Sequence, residues 1–126
     1  MKRHDAREKA FQLLFQLDIH EVDIEEGLNQ LLEDIKPDEF LLTLVNGVID
    51  NKEAIDERIS THLENWSLNR IASVERTLLR ISTYELFYYK DAPESVIINE
   101  AIELSHVFGD EKSGKFINGV LSKMIK

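Results

Sequence analysis

The chain has 126 residues, 43% of them hydrophobic and 31% charged, and its 24 acidic against 15 basic side chains leave a net charge of −9. That length predicts one domain with a core that needs no staples, and the lack of cysteine excludes disulfides and thiolate metal centres. No apolar run approaches the roughly 20 residues that span a bilayer, and the charged N-terminus lacks the apolar stretch of a secretory signal, so a cytoplasmic protein is expected.

Two prolines and five glycines leave few breakers, and the apolar periodicity is helical throughout, which predicts an all-α fold. Ala6, Ala10, Leu13, Leu14 and Leu17 place a first helix over about residues 4–19. Asp23-Ile24-Glu25-Glu26 has capping-box spacing, with Asp in the place of Ser or Thr. It opens a short second helix carrying Leu28, Leu31, Leu32 and Ile35, which stops before Pro37. From Pro37-Asp38 a third region carries Leu41, Leu44, Val45, Val48, Ile55, Ile59 and Leu63 on one side. Its length predicts a kink or break near Asp50-Asn51.

Ser67 is a suitable N-cap for a fourth helix over about 68–90. Trp66 and Ile71 have the spacing of a hydrophobic staple, which puts Trp66 in the core. It would sit where an N-terminal helical half (about 1–65) meets a C-terminal one (about 66–126). The fourth helix is apolar on more than one face, with Ile71, Val74, Leu78, Leu79, Ile81, Tyr84, Leu86 and Phe87, the pattern of a central helix. Asp91-Ala92-Pro93 ends it. A fifth helix runs over about 95–108 and stops at Gly109, read as a C′ residue. A sixth, about 113–125, buries Ile117, Val120, Leu121 and Met124. Asn118-Gly119 between apolar residues is a hairpin cue, but the neighbours repeat at three and four, so the pair reads as helical. Gly119 then costs about 1 kcal/mol against Ala, with close helix–helix approach as the expected compensation.

The charges are unevenly spread. Residues 1–10 are net +2 and residues 112–126 net +4, which leaves −15 for the span between them. Within the first helix Arg3, Arg7, Phe11 and Phe15 recur every four residues. Guanidinium groups pair with phosphates and an aromatic at the same rim can stack on an unpaired base. Core burial is the competing fate of the two phenylalanines. Lys2 and the lysine-rich last helix strengthen the pattern only if both ends share one surface. Glu75, Arg76 and Arg80 on the fourth helix read either as intrahelical ion pairs, worth a few tenths of a kcal/mol, or as a polar strip for a partner.

A catalytic or metal centre has less support. His4, His20, His62 and His106 sit singly, with no second histidine three or four residues away, and the paired carboxylates at 25–26, 33–34 and 38–39 suit helix ends or solvent. Gly109-Asp110-Glu111-Lys112-Ser113-Gly114-Lys115 departs from the phosphate-loop order, since Phe116 follows the lysine and no strand precedes it. No metal, no cofactor and no enzymatic activity are expected.

Arg3 and Ala6-Arg7 with Ala10, Gln12, Leu13 and Phe15 resemble the opening of the N-utilisation substance B (NusB) family of transcription antitermination factors. Trp66 with Arg70, Glu75-Arg76 with Leu79-Arg80-Ile81, and Tyr84-Glu85-Leu86 resemble that family's central helix. Pro93, Val96, Ile98-Asn99-Glu100-Ala101-Ile102-Glu103-Leu104, Phe108 and Phe116-Ile117-Asn118-Gly119-Val120-Leu121 resemble its C-terminal signature. The resemblance covers nearly the whole chain, in family order. It implies two packed three-helix bundles forming one compact domain, and no catalysis. It also implies pairing with a small-subunit ribosomal protein, NusE, binding of the single-stranded boxA element of ribosomal RNA transcripts, and action on RNA polymerase. Arg3 and Arg7 are then the expected phosphate contacts, Lys2 and Lys115 add field, and Phe15 and Phe116 are the stacking residues. Glu75, Arg76 and Arg80 fall on the family's partner surface. His4 and Asp5 interrupt the arginine-rich start that the family often shows, which implies weaker electrostatic affinity. The same fold also occurs as an appendage of ribosomal RNA methyltransferases, whose cofactor domain this chain has no room for. Two other classes stay open: an interaction module or homodimer that docks a basic partner on its acidic surface without RNA, and a small all-α enzyme using its carboxylates.

Overall fold

The computed structural model describes residues 1–19, 23–31 and 38–126. Among them lie α1 (Arg3–Ile19), α2 (Ile24–Leu31), α3 (Glu39–Asp50), α4 (Lys52–Thr61), α5 (Ser73–Tyr84), α6 (Glu94–Phe108) and α7 (Ser113–Met124), with no strand. The fold is all-α. His20, and Leu32, Ile35 and Pro37 at the expected end of the second helix, lie outside the described residues.

Local chemistry explains the boundaries. The Asp38 carboxylate accepts the Leu41 amide at 3.1 Å and so caps α3. At the expected break, the Asn51 backbone amide and side-chain amide both donate to the Gly47 carbonyl. That closes α3, and α4 starts one residue later. Gly47 leaves room for the Tyr84 ring, which lies where a Cβ at 47 would be.

The fourth predicted helix begins later than its pattern implied. Ser67 makes no side-chain cap bond, and only a single 3₁₀ turn, Leu68–Arg70, follows it. Ile71 and Ala72 are extended, so α5 starts at Ser73. Trp66 and Ile71 therefore do not share a first helical turn, and the staple is absent. Leu68 and Ile71 enter the core, whereas Trp66 is 57% exposed, after Asn65 at φ 62° in the left-handed region that Asn tolerates.

Helix α5 packs against α1, α3, α4, α6 and α7. Its run from Thr77 to Thr83 is buried without interruption, as its all-round apolar pattern implied. It continues into a π-helical turn, Glu85–Tyr89, closed by the Lys90 amide donating to the Glu85 carbonyl at 2.9 Å with Lys90 left-handed at φ 49°. One core joins the two helical groups: Phe11 and Leu13 of α1, Leu41 and Leu44 of α3, Leu78 and Leu79 of α5, and Ile117 and Leu121 of α7. Burying one such side chain is worth about 1.5–3 kcal/mol.

Two glycine expectations change. Gly119 is exposed with open space around it, so it mediates no close helix contact. Gly109 follows α6 in extended rather than left-handed backbone. Closeness explains that glycine, since a Cβ there would meet the Ser113 hydroxyl at 2.7 Å and the Ser105 carbonyl at 2.9 Å.

Candidate nucleic-acid interface

The basic end of α1 lies where α3, α6 and the π turn converge. Arg7 enters the interior there, 4% exposed, and donates through Nε and Nη2 to both carboxylate oxygens of Glu85 at 2.9 and 2.8 Å. Burial disfavours its charge, but the hydrogen bonds and charge of Glu85 more than restore it, and the guanidinium pKa is raised. The sequence stripe marked Arg7 as a phosphate contact. Its guanidinium is instead held by Glu85 in a buried bidentate pair.

Arg3, one turn earlier, stays at the surface. Its Nη2 lies 2.8 Å from Asp91, and its guanidinium covers the Phe40 ring at 4.0 Å. Phe40 in turn packs on Tyr89 of the π turn, with centroids 5.7 Å apart, and lies 5.2 Å from the Arg7 guanidinium. Arg7 and Phe40 thus form a rigid shelf under Arg3. Lys2 is exposed beside it.

His4 turns toward α6, where its Nδ1 lies 2.7 Å from Glu100 and 3.9 Å from Glu103. The hydrogen bond to Glu100 raises the His4 pKa, with Glu103 and Asp5 adding to it. No pairing rule within one helix could find this cluster, because 96 residues separate His4 from Glu100.

Phe15 is half-buried, stacked on Phe11 at 5.5 Å, and Phe11 meets Phe108 at 4.7 Å. These rings with Gln12, Gln16 and Val74 line an open groove of about 490 Å³. Lys115 is exposed and Phe116 half-buried in the first turn of α7. That turn packs on α6 near its C-terminal end, since a Cβ on Gly114 would come within 3.0 Å of His106 Nε2. Helix α6 thus meets both basic ends, through Glu100 beside His4 and through His106 beside Gly114.

On α5 the ion pairs of the polar strip run across helices, and within the helix Arg76 donates only to the Ser73 hydroxyl among side chains. Arg76 donates through Nε and Nη2 to Asp18 at 3.1 and 2.6 Å, and through Nη1 to the Leu68 carbonyl. Arg80 donates to Asp18 at 2.9 Å and grips Asp56 with two bonds at 2.8 and 3.0 Å. Glu75, half-buried, takes no part in these pairs. Burial pushes the Asp18 carboxyl up, but the hydrogen bonds and charges of Arg76 and Arg80 outweigh it and hold the carboxyl below its ordinary range. Sequence reasoning missed Asp18 and Asp56 because their partners lie in other helices.

Residues 4–126 match the family model described as the NusB family. The transcription antitermination protein NusB of Oceanobacillus iheyensis is 62% identical over 125 residues, covering 99% of each chain. That of Bacillus subtilis is 49% identical over 124 residues, or 98% of this chain and 95% of the relative. Among solved structures, T. maritima NusB superposes with a TM-score of 0.90 at 38% identity, covering 98% of this chain and 90% of that one. A crystal structure of antitermination factors NusB and NusE in complex with dsRNA contains a chain matching with a TM-score of 0.88 at 33% identity, over 98% of this chain and 97% of that one.

Proposed function

Since this chain belongs to the NusB family of transcription antitermination factors, we propose that it binds boxA-type single-stranded RNA together with a NusE ribosomal protein and delivers that complex to RNA polymerase. The observation that carries this reading is the match, over 98% of this chain, to a NusB chain from a structure of NusB and NusE in complex with dsRNA. No helix among the described residues is long and apolar enough to cross a membrane.

Within that reading, Lys2 and Arg3 supply the phosphate contacts at the N-terminal edge. The Arg3–Asp91 pair is about half exposed on both sides. Such pairs contribute at most about 1 kcal/mol, so a phosphate can replace Asp91 at little cost. Arg7 supports this edge from beneath. Phe15 offers an edge of its ring to a base in the aromatic groove, and Lys115 with Phe116 forms a separate contact at the start of α7.

The partner surface lies at the start of α5, around Glu75. Arg76 and Arg80 hold that surface in place through Asp18 and Asp56. Trp66, exposed two residues before Leu68, whose carbonyl accepts from Arg76, is taken as part of the same surface. Tryptophan is the residue type most enriched among interface hot spots. Titrating fluorescent boxA-like RNA with the protein, with and without NusE, tests the reading. Tighter binding with NusE, weakened by scrambling the RNA, is expected. Equal, salt-insensitive binding of any RNA, or none, overturns it.

A further inference from the structure

From the cluster of His4, Glu100 and Glu103 we infer a binding site for a first-row divalent cation, best matched by Zn²⁺, that pins the first turn of α1 to α6. One ligand atom from each residue lies within 4.8 Å of the other two. The His4 nitrogen is 2.7 Å from one carboxylate oxygen and 3.9 Å from the other. In a tetrahedral Zn²⁺ site with bonds near 2.0–2.1 Å, ligand atoms stand about 3.3 Å apart. The two His4 separations bracket that value and the two carboxylates stand within 4.8 Å of each other, so side-chain shifts close the site, in which the cation takes the place of the His4–Glu100 hydrogen bond.

The donor set selects the metal. One imidazole nitrogen with two carboxylates suits Zn²⁺ or its first-row neighbours, whereas Mg²⁺ and Ca²⁺ prefer oxygen alone. Glu100 and Glu103 lie at i and i+3 on one face of α6, and among the described residues neither forms a salt bridge with a lysine or arginine. The nearby cations are engaged elsewhere, Arg3 with Asp91 and Arg7 with Glu85. His4 and Glu103 are well exposed, which opens an entry path and leaves the fourth position to water. A bound cation adds positive charge beside Lys2 and Arg3 and orders the turn that carries them.

The test is calorimetry of chelator-stripped protein with ZnCl₂ alone, with the absorption of added Co²⁺ as a second readout. Saturation at one ion per chain is expected, with visible Co²⁺ bands of low coordination number. His4→Ala and Glu103→Gln should each weaken binding about 10-fold or more, at least the loss known for removing an outer-shell partner. Both residues are exposed, so circular dichroism should show unchanged helix. Excess Mg²⁺ should not compete. Undetectable binding, binding unchanged in either variant, or displacement by Mg²⁺ overturns the site.

Discussion

Among the described residues, Arg7 and Glu85 form the most deeply buried ion pair. Both are nearly sealed from water, at 4% and 3% exposure, and each is the other's bidentate partner. Removing one partner of such a pair costs about 3–5 kcal/mol, because a buried charge is left alone, whereas replacing both with apolar groups can be neutral. Arg7→Met should therefore lower urea-unfolding stability by an amount in that range, and Arg7→Met with Glu85→Leu should recover most of it. Equal losses in the single and double variants would show that Arg7 acts chiefly through its stem packing. Trp66 is the opposite case. With most of its indole in water, Trp66→Ala should change stability by no more than about 0.5 kcal/mol, as surface substitutions do. It should weaken NusE binding in calorimetry, and a large loss of stability would return Trp66 to the core.

Asp18 ties elements together rather than residues. It receives Arg76 and Arg80 and so holds α1 to α5, while Arg80 extends the link to Asp56 of α4. Its folded carboxyl titrates below the ordinary range of about 3.9. Stabilisation from this group is therefore present above the unfolded carboxylate pKa and is lost as pH falls through the depressed folded value. Stability measured by chemical denaturation should drop on the acid side in the parent protein and drop less steeply in Asp18→Asn. Parallel profiles would mean that other carboxylates set the acid limb. The π turn acts at the same scale. It places Glu85 beneath Arg7 and Tyr89 against Phe40, so a local change of helical winding builds the support of the N-terminal edge.

Across the whole molecule the charge is divided. Two basic ends flank a span of −15, and α6 contacts the start of both α1 and α7. Each lost phosphate contact should lower the slope of log K against log salt by about 0.7 for a single strand. Lys2→Ala with Arg3→Ala should thus flatten the salt dependence of RNA binding measured by fluorescence anisotropy. An unchanged slope would move the RNA edge to α7. The acidic span should steer a basic ribosomal protein toward it. Glu75→Lys reverses a half-buried charge outside the Arg–Asp network, so it should slow association with NusE and leave helix content intact. Unchanged kinetics would place the interface elsewhere.

Helix periodicity, the break at Asn51, the central place of α5 and the family signature were all legible in the sequence, because each is carried by spacing along a single segment. Apolar residues at three and four leave a helix no other way to hide them. What tertiary structure alone decided is where polar side chains end. Arg7 and Arg3 read alike in one stripe, yet one turn of helix buries the first and leaves the second in water. Trp66 and Ile71 have staple spacing, yet extended backbone at Ile71 and Ala72 separates their fates. Arg76 and Arg80 find Asp18 and Asp56, and His4 finds Glu100, across 24 to 96 residues. Local spacing sets which face a side chain occupies. The helix packed against that face sets its partner, and with it whether a charge serves the fold or a ligand.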